Sequence, residues 1–214
     1  MAQDYILGYG SLIDAESRKR TTPDVHTASP VIAKGFARGW WAPGKNVGFA
    51  PTYLGVKIEE NAQLNGVIYP VSSAELEATD RREGLYERVV IPPEDLTMLD
   101  GSQDVPADSV IWIYALPADA AVPVPTADRP IVQSYVDICL TGCLDIEDQY
   151  PLAKDAGYAN MFIEHTQDWN EFWVNDRLYP RRPFIFVPRC FQIDRMLHGF
   201  MPELFEQIYL EPRP

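Results

Sequence analysis

The chain has 214 residues, 46% hydrophobic and 12% aromatic, enough apolar matter for a folded core, and its 23% charged content is ordinary for a globular protein. Its formal net charge of −13, from 31 acidic against 18 basic side chains, opposes binding to nucleic acid or to an anionic membrane surface. No stretch approaches the roughly eighteen apolar residues of a membrane helix, no basic leader precedes the first strand, and three cysteines without a dense framework suit a reducing, cytoplasmic compartment.

Tyr5-Ile6-Leu7-Gly8-Tyr9 reads as a strand stopped by Gly10-Ser11. Val31 through Phe36 and then Trp40-Trp41 read as a second strand region broken by glycines, and Val47 to Ile58 and Gly66 to Val71 continue the pattern. Ser72-Ser73-Ala74-Glu75 fits a capping box, which predicts a helix of about ten residues ending near Gly84. Tyr86 to Ile91 returns as strand and stops at Pro92-Pro93, 95–108 is acidic and turn-rich, and Ser109 to Leu116 alternates as another strand. Four prolines between Pro117 and Pro130 exclude a regular helix there and point to an ordered crossing. Ile131 to Leu144 has helical spacing, with Ile131, Tyr135, Ile138 and Cys139 on one face, and Leu152 to Tyr158 predicts a short helix. In the last sixty residues Gln167 to Trp173 and Pro202 to Tyr209 carry helix signals, around the proline-punctuated 179–183. Short strands followed by helices predict an α+β fold with a mostly closed β-core.

Chemistry concentrates in two segments. Gly8-Tyr9-Gly10-Ser11-Leu12 ends a strand in a turn whose successive backbone N–H groups can form an anion-binding nest, and the bare Gly10 permits close approach of a ligand. A flexible strand end accounts for the same residues. A dinucleotide fingerprint is excluded because Gly8-x-Gly10-x-x-Ile13 lacks its third glycine, and Ser11 lacks the G-x-S-x-G context of a nucleophile. His26, His165 and His198 show no triad spacing and read as surface or structural. In Thr79-Asp80-Arg81-Arg82-Glu83-Gly84-Leu85-Tyr86, the Glu83 carboxylate sits at a helix C-terminus, where the dipole disfavours negative charge. A salt bridge or exposure to solvent explains that position, and so does service as a proton shuttle. Cys139 and Cys143 read as buried core thiols with no metal set nearby, the tryptophans Trp40-Trp41, Trp169 and Trp173 as core or interface, and the Arg81-Arg82 and Arg181-Arg182 pairs as the only candidates for a local basic patch, neither read as a binding site.

The pairing of Tyr9-Gly10-Ser11-Leu12 with Asp80-Arg81-Arg82-Glu83-Gly84 and Tyr86 resembles the γ-glutamylcyclotransferase-like family, including its plant and bacterial relatives. Gly35-Phe36-Ala37-Arg38-Gly39-Trp40-Trp41 is similar to the second-strand region of bacterial members, and Pro130 through Tyr135 to Gly142 to the family's late helix. The resemblance implies a small mixed β-barrel with flanking helices over residues 1–145, and leaves 146–214 as a C-terminal extension packed on the same domain. It implies a small-molecule γ-glutamyl substrate converted to 5-oxoproline and a free amine, without metal or cofactor. On the family's pattern, the backbone of Gly10, Ser11 and Leu12 would hold the glutamyl carboxylate. Glu83 would be the acid/base, and Tyr9, Tyr86 and Tyr135 would line the pocket. The competing readings are a binding or interaction protein on the same fold, or an enzyme of different amide chemistry; a homodimer is compatible with all of them.

Overall fold

Tyr5, Ile6 and Leu7 send alternate side chains to opposite faces of a strand, and the structure uses both faces. In the computed structural model, which describes residues 3–20, 22, 27–44, 50–84, 86–102, 104–105, 108–177 and 189–210, Ile6 of β1 (Gln3–Gly8) joins a core under the helices. Leu7 joins a second core with Val31, Phe36, Val56, Ile68 and Ile113 on the other face of the strand. Period-two alternation thus serves two apolar compartments.

The sheet is built on two long strands, β2 (Ser29–Pro43) and β3 (Thr52–Val71), paired antiparallel. The glycines do not break β2, as the sequence pattern suggested. Gly35 adopts a φ of +82° and makes a bulge: Lys34 pairs with Gln63 while Phe36 pairs with Ile58, so 59–62 are left out of the ladder. β1 lies antiparallel to the C-terminal end of β3 and parallel to β6 (Ser109–Ala115), beyond which β4 (Glu87–Ile91) is antiparallel. β5 (Leu96–Met98) pairs with β2 inside the acidic, turn-rich segment. The predicted residues 47–49 of the third strand, His26 and 179–183 with Arg181 and Arg182 lie outside the described residues.

The fold is α+β, with ten strands joined in one mixed sheet among the described residues. The expected barrel closure is not seen: among these residues no strand pairing joins β4 to β5 or otherwise shuts the sheet. A single bond from the Leu116 N–H to the Val56 carbonyl, 2.7 Å, spans from the end of β6 to β3. The ladder fails to close because β4 ends at Pro92-Pro93, where a short turn of helix carries the chain away to the far side of β2.

Other local expectations meet the structure unevenly. Ser72 accepts from the Glu75 N–H at 3.3 Å and donates its own N–H to Glu75 Oε2 at 2.7 Å, starting α2 (Ser73–Arg82) as predicted. α1 (Ala15–Lys19) follows the first turn. Ile131 belongs to a strand, β7 (Ile131–Val132), and the helix α3 (Gln133–Gln149) begins after it and runs longer than its apolar spacing suggested. The predicted helix over 152–158 is divided by Gly157, φ +66°, into α4 (Pro151–Asp155) and α5 (Tyr158–Glu164). Gln167 to Trp173 is not helical. β8 (Thr166–Gln167) pairs with β2 and β9 (Trp173–Asn175) with β7, and between them Asp168 takes a φ of +60° that no helix admits. α6 (Cys190–Phe200) follows, and the helix predicted over Pro202 to Tyr209 stops at Glu206 as α7 (Pro202–Glu206), with Tyr209 in a strand, β10 (Tyr209–Leu210), parallel to β9. Cys139 and Cys143 are fully buried free thiols, and Trp40, Trp41 and Trp173 are buried core residues, as read. No described helix is long and apolar enough to cross a membrane.

Candidate functional site

β1 stops at Gly8, opposite Val67 of β3, while β7 meets the same edge only at Thr52. In the interval the chain folds into the Tyr9–Leu12 turn. Two glycines permit this by close approach: a Cβ on Gly8 would lie 2.7 Å from the Cβ of Leu12, and one on Gly10 would lie 2.8 Å from the Tyr135 hydroxyl. Ser11–Ile13 then makes one 3-10 turn, closed by the Ile13 N–H on the Gly10 carbonyl at 3.0 Å. The start of such a turn leaves its first donors orphaned. Among the described residues, none accepts a hydrogen bond from the backbone N–H of Gly10, Ser11 or Leu12.

Buried arginines grip the turn from behind. The Arg38 guanidinium, on β2, donates to the Tyr9 carbonyl at 3.1 Å, and Arg18 donates to the carbonyls of Leu12 at 2.7 Å and Ile13 at 3.2 Å. Asp14 accepts from the Ser17 N–H at 2.6 Å and starts α1, which presents Arg18. α3 supports the turn from another side at Gly142, whose absent side chain lets the backbone of Ile13 and Asp14 sit against the helix. Arg38 was legible in the sequence only as part of a strand; nothing local marks its grip on a carbonyl 29 positions away.

α2 delivers the carboxylate. Glu83 is its C-cap, its N–H held by the Thr79 carbonyl at 2.8 Å, and its own carbonyl accepts from the Tyr86 N–H at 2.7 Å. That tight turn presents Glu83 and Tyr86, both half-buried, together. Tyr135, on the first turn of α3, is 7% exposed and packs against the rings of Tyr53 at 4.7 Å and Trp40 at 6.0 Å. Tyr9 donates its hydroxyl to the Tyr114 carbonyl at 3.0 Å. Tyr114 donates to Asp80 Oδ1 at 2.8 Å, and Arg88 approaches Asp80 Oδ2 at 3.2 Å. Tyr114 and Arg88 carried no sequence signal of their own. Asp80 carried one, since it precedes Glu83 by three residues on the same helical face.

Glu83, Tyr86 and Tyr135 lie within electrostatic reach of Tyr9. Burial holds the Tyr9 phenol well above the ordinary range, and Tyr86, Tyr135 and Glu83 push it further, against the pull of Arg38. Burial and then Glu83 raise Tyr86 to about 12. Burial, followed by the hydrogen bond to Asp80, raises Tyr114 as well. At neutral pH all three are uncharged O–H groups able to donate. The sequence-predicted residues Tyr9, Gly10, Ser11, Leu12, Glu83, Tyr86 and Tyr135 are thus gathered at one end of the sheet. Ser11 has no hydrogen bond to a histidine among the described residues: His165 ends α5, and His198 lies on α6, 3.8 Å from Glu206. An open groove of about 570 Å³ between α6 and α7, lined by Phe191, Asp194, Arg195, His198 and Phe205, contains none of the gathered residues.

No protein-family model matches the chain, and no curated protein matches its sequence. Solved structures do match. A γ-glutamyl cyclotransferase superposes with a TM-score of 0.54 at 12% identity, over 92% of this chain and 99% of its own. The human protein loc79017 superposes with a TM-score of 0.55 at 12% identity, over 79% of this chain and 92% of its own. A yeast γ-glutamyl cyclotransferase specific to glutathione stands further off, with a TM-score of 0.44 at 12% identity over 79% of this chain and all of its own. The chain has the γ-glutamylcyclotransferase-like fold.

Proposed function

We propose that the protein is a γ-glutamylcyclotransferase, converting a γ-glutamyl amine, amino acid or peptide to 5-oxoproline and a free amine. The observation that carries this reading is the gathering of one carboxylate, Glu83, and the phenols of Tyr9, Tyr86 and Tyr135 at a turn whose Gly10–Leu12 N–H groups lack acceptors among the described residues. The fold shared with a solved γ-glutamyl cyclotransferase supports it.

On this reading the N–H groups of Gly10, Ser11 and Leu12 receive the substrate's α-carboxylate. The α-ammonium, with a pKa of about 8, must lose a proton before it can attack. Glu83 accepts that proton, the freed amine attacks the γ-carbonyl carbon, and a five-membered lactam forms as the bond to the departing nitrogen breaks. Glu83 returns that proton to the leaving nitrogen, and the second proton that the attacking nitrogen sheds as the lactam forms follows the same route, so the amine departs as an ammonium. A phenol O–H from the tyrosine cluster stabilises charge on the carbonyl oxygen. The reaction is intramolecular, so holding the substrate folded supplies much of the rate gain. Atoms and charge balance without an added oxidant or nucleotide.

Residues 1–145 form the γ-glutamylcyclotransferase-like unit in this proposal and 146–214 an extension packed on it. Pairing of β8 with β2 and of β9 with β7 supports the packing. The buried thiols of Cys139 and Cys143 suit a cytoplasmic setting. The test is 5-oxoproline release from a panel of γ-glutamyl compounds by wild type and by Glu83→Gln, which keeps the size of the side chain. Release lost in a folded variant supports the assignment. Release that persists removes Glu83 from its role, and silence from the wild type favours a binding protein on the same fold.

A further inference from the structure

Arg38 is fully buried. Its five N–H groups are all engaged: Nε with Thr166 Oγ1 at 2.9 Å, Nη1 with the Tyr9 carbonyl at 3.1 Å and the Asn65 carbonyl at 2.8 Å, and Nη2 with Asn65 Oδ1 at 2.9 Å and the Phe162 carbonyl at 3.0 Å. The guanidinium also stacks on the Phe162 ring at 3.9 Å. Every one of these acceptors is neutral, and among the described residues no carboxylate forms an ion pair with it. Burying a cation without a counter-ion is expensive. Burial lowers its pKa to about 10, which leaves it charged at neutral pH.

The Tyr9 carbonyl belongs to the same peptide unit as the Gly10 N–H. A charged donor on the oxygen of an amide draws electrons through the unit and strengthens its N–H as a donor. We propose that Arg38 is a positioning residue that fixes and polarises the Tyr9–Gly10 peptide, so that the Gly10 N–H binds the α-carboxylate of the substrate more tightly. The inference rests on the proposed reaction for the identity of that anion. The buried cation is then partnered by the ligand's charge, across one peptide, in a chain whose net charge, Arg38 included, is −13. Arg18, on the Leu12 and Ile13 carbonyls, braces the other side of the turn.

The test compares Arg38→Met with Thr166→Val, which removes the acceptor of Nε and leaves the bond to Tyr9 in place. In amide NMR spectra of labelled protein, the Gly10 resonance should move upfield in Arg38→Met and stay near its wild-type position in Thr166→Val. With a γ-glutamyl substrate, Arg38→Met should raise KM about tenfold, equivalent to about 1.4 kcal/mol, with kcat within about threefold. Thr166→Val should leave KM within about twofold. Equal KM changes in the two variants, or an unmoved Gly10 amide in folded Arg38→Met, overturn the proposal. If Arg38→Met does not fold, the through-hydrogen-bond coupling between Arg38 Nη1 and the Tyr9 carbonyl carbon in wild type decides, its presence supporting the proposal and its absence refuting it. Wild type without turnover counts against the reaction alone, because the amide shift reads the polarised peptide independently.

Discussion

Gly10→Ala is the most direct perturbation of the turn. The added methyl would lie 2.8 Å from the Tyr135 hydroxyl and 3.6 Å from Leu54 Cδ1; the second contact is ordinary, and the first is about half an ångström too short. The Tyr135 ring cannot simply swing aside, since it is buried against Tyr53 and Trp40. Overpacking of this kind costs about 1–3 kcal/mol, which for a chain of this length lowers Tm by roughly 2–4 °C per kcal/mol. A fall of about 5 °C in thermal unfolding is therefore expected, together with a loss of kcat/KM, because the turn or the phenol must shift. The cause can be isolated with a double-mutant cycle. In a Tyr135→Phe background the hydroxyl is gone, and the penalty of Gly10→Ala should shrink by about 1 kcal/mol. An unchanged Tm for the single variant, or additive losses in the pair, would refute the close approach of Gly10 to the Tyr135 hydroxyl.

Gly142→Ala should be more damaging, because its Cβ would meet backbone: Asp14 N at 2.5 Å, Asp14 Cα at 2.7 Å and the Ile13 carbonyl carbon at 2.8 Å. Urea denaturation should show a loss of at least about 2 kcal/mol. Asp176→Ala removes a buried carboxylate that accepts from both the Ser134 N–H and its hydroxyl at 2.7 Å, at the start of α3. A loss of about 2 kcal/mol in the same measurement is expected, with Asp176→Asn intermediate. Tyr9, Tyr86 and Tyr158 all have phenol pKa values raised chiefly by burial, Tyr86 to about 12. Their contribution to stability is full below the ordinary value of about 10 and is lost as pH rises through the folded values. Tyrosinate absorbance and circular dichroism followed together should show these phenols ionising late, as the fold is lost; early ionisation without unfolding would refute their burial.

Much of the local structure was legible because it is set by neighbouring residues. The Ser72–Glu75 capping box lies within one turn of chain, and hydrogen-bond geometry alone demands it. The end of β1 just ahead of the Gly10-Ser11 pair and the helix stop at Glu83 are likewise short-range events. Gln167 to Trp173 misled because the spacing of Trp169, Phe172 and Trp173 suits a helix face, whereas their positions are set by parallel pairing with β2 and β7. α6 escaped notice although Ile193 and Leu197 stand four apart and are both buried.

The sequence by itself marked the two candidate segments, since a glycine-rich turn and a carboxylate at a helix end are properties of a few adjacent residues. Only the tertiary structure decided that Glu83, Tyr86 and Tyr135 come within electrostatic reach of Tyr9, that the described strands form one sheet without ladder closure, and that Arg38 reaches the Tyr9 carbonyl. Those outcomes depend on contacts between residues tens of positions apart. Such contacts are fixed by burial and by the need to satisfy every buried donor, and no local pattern encodes them.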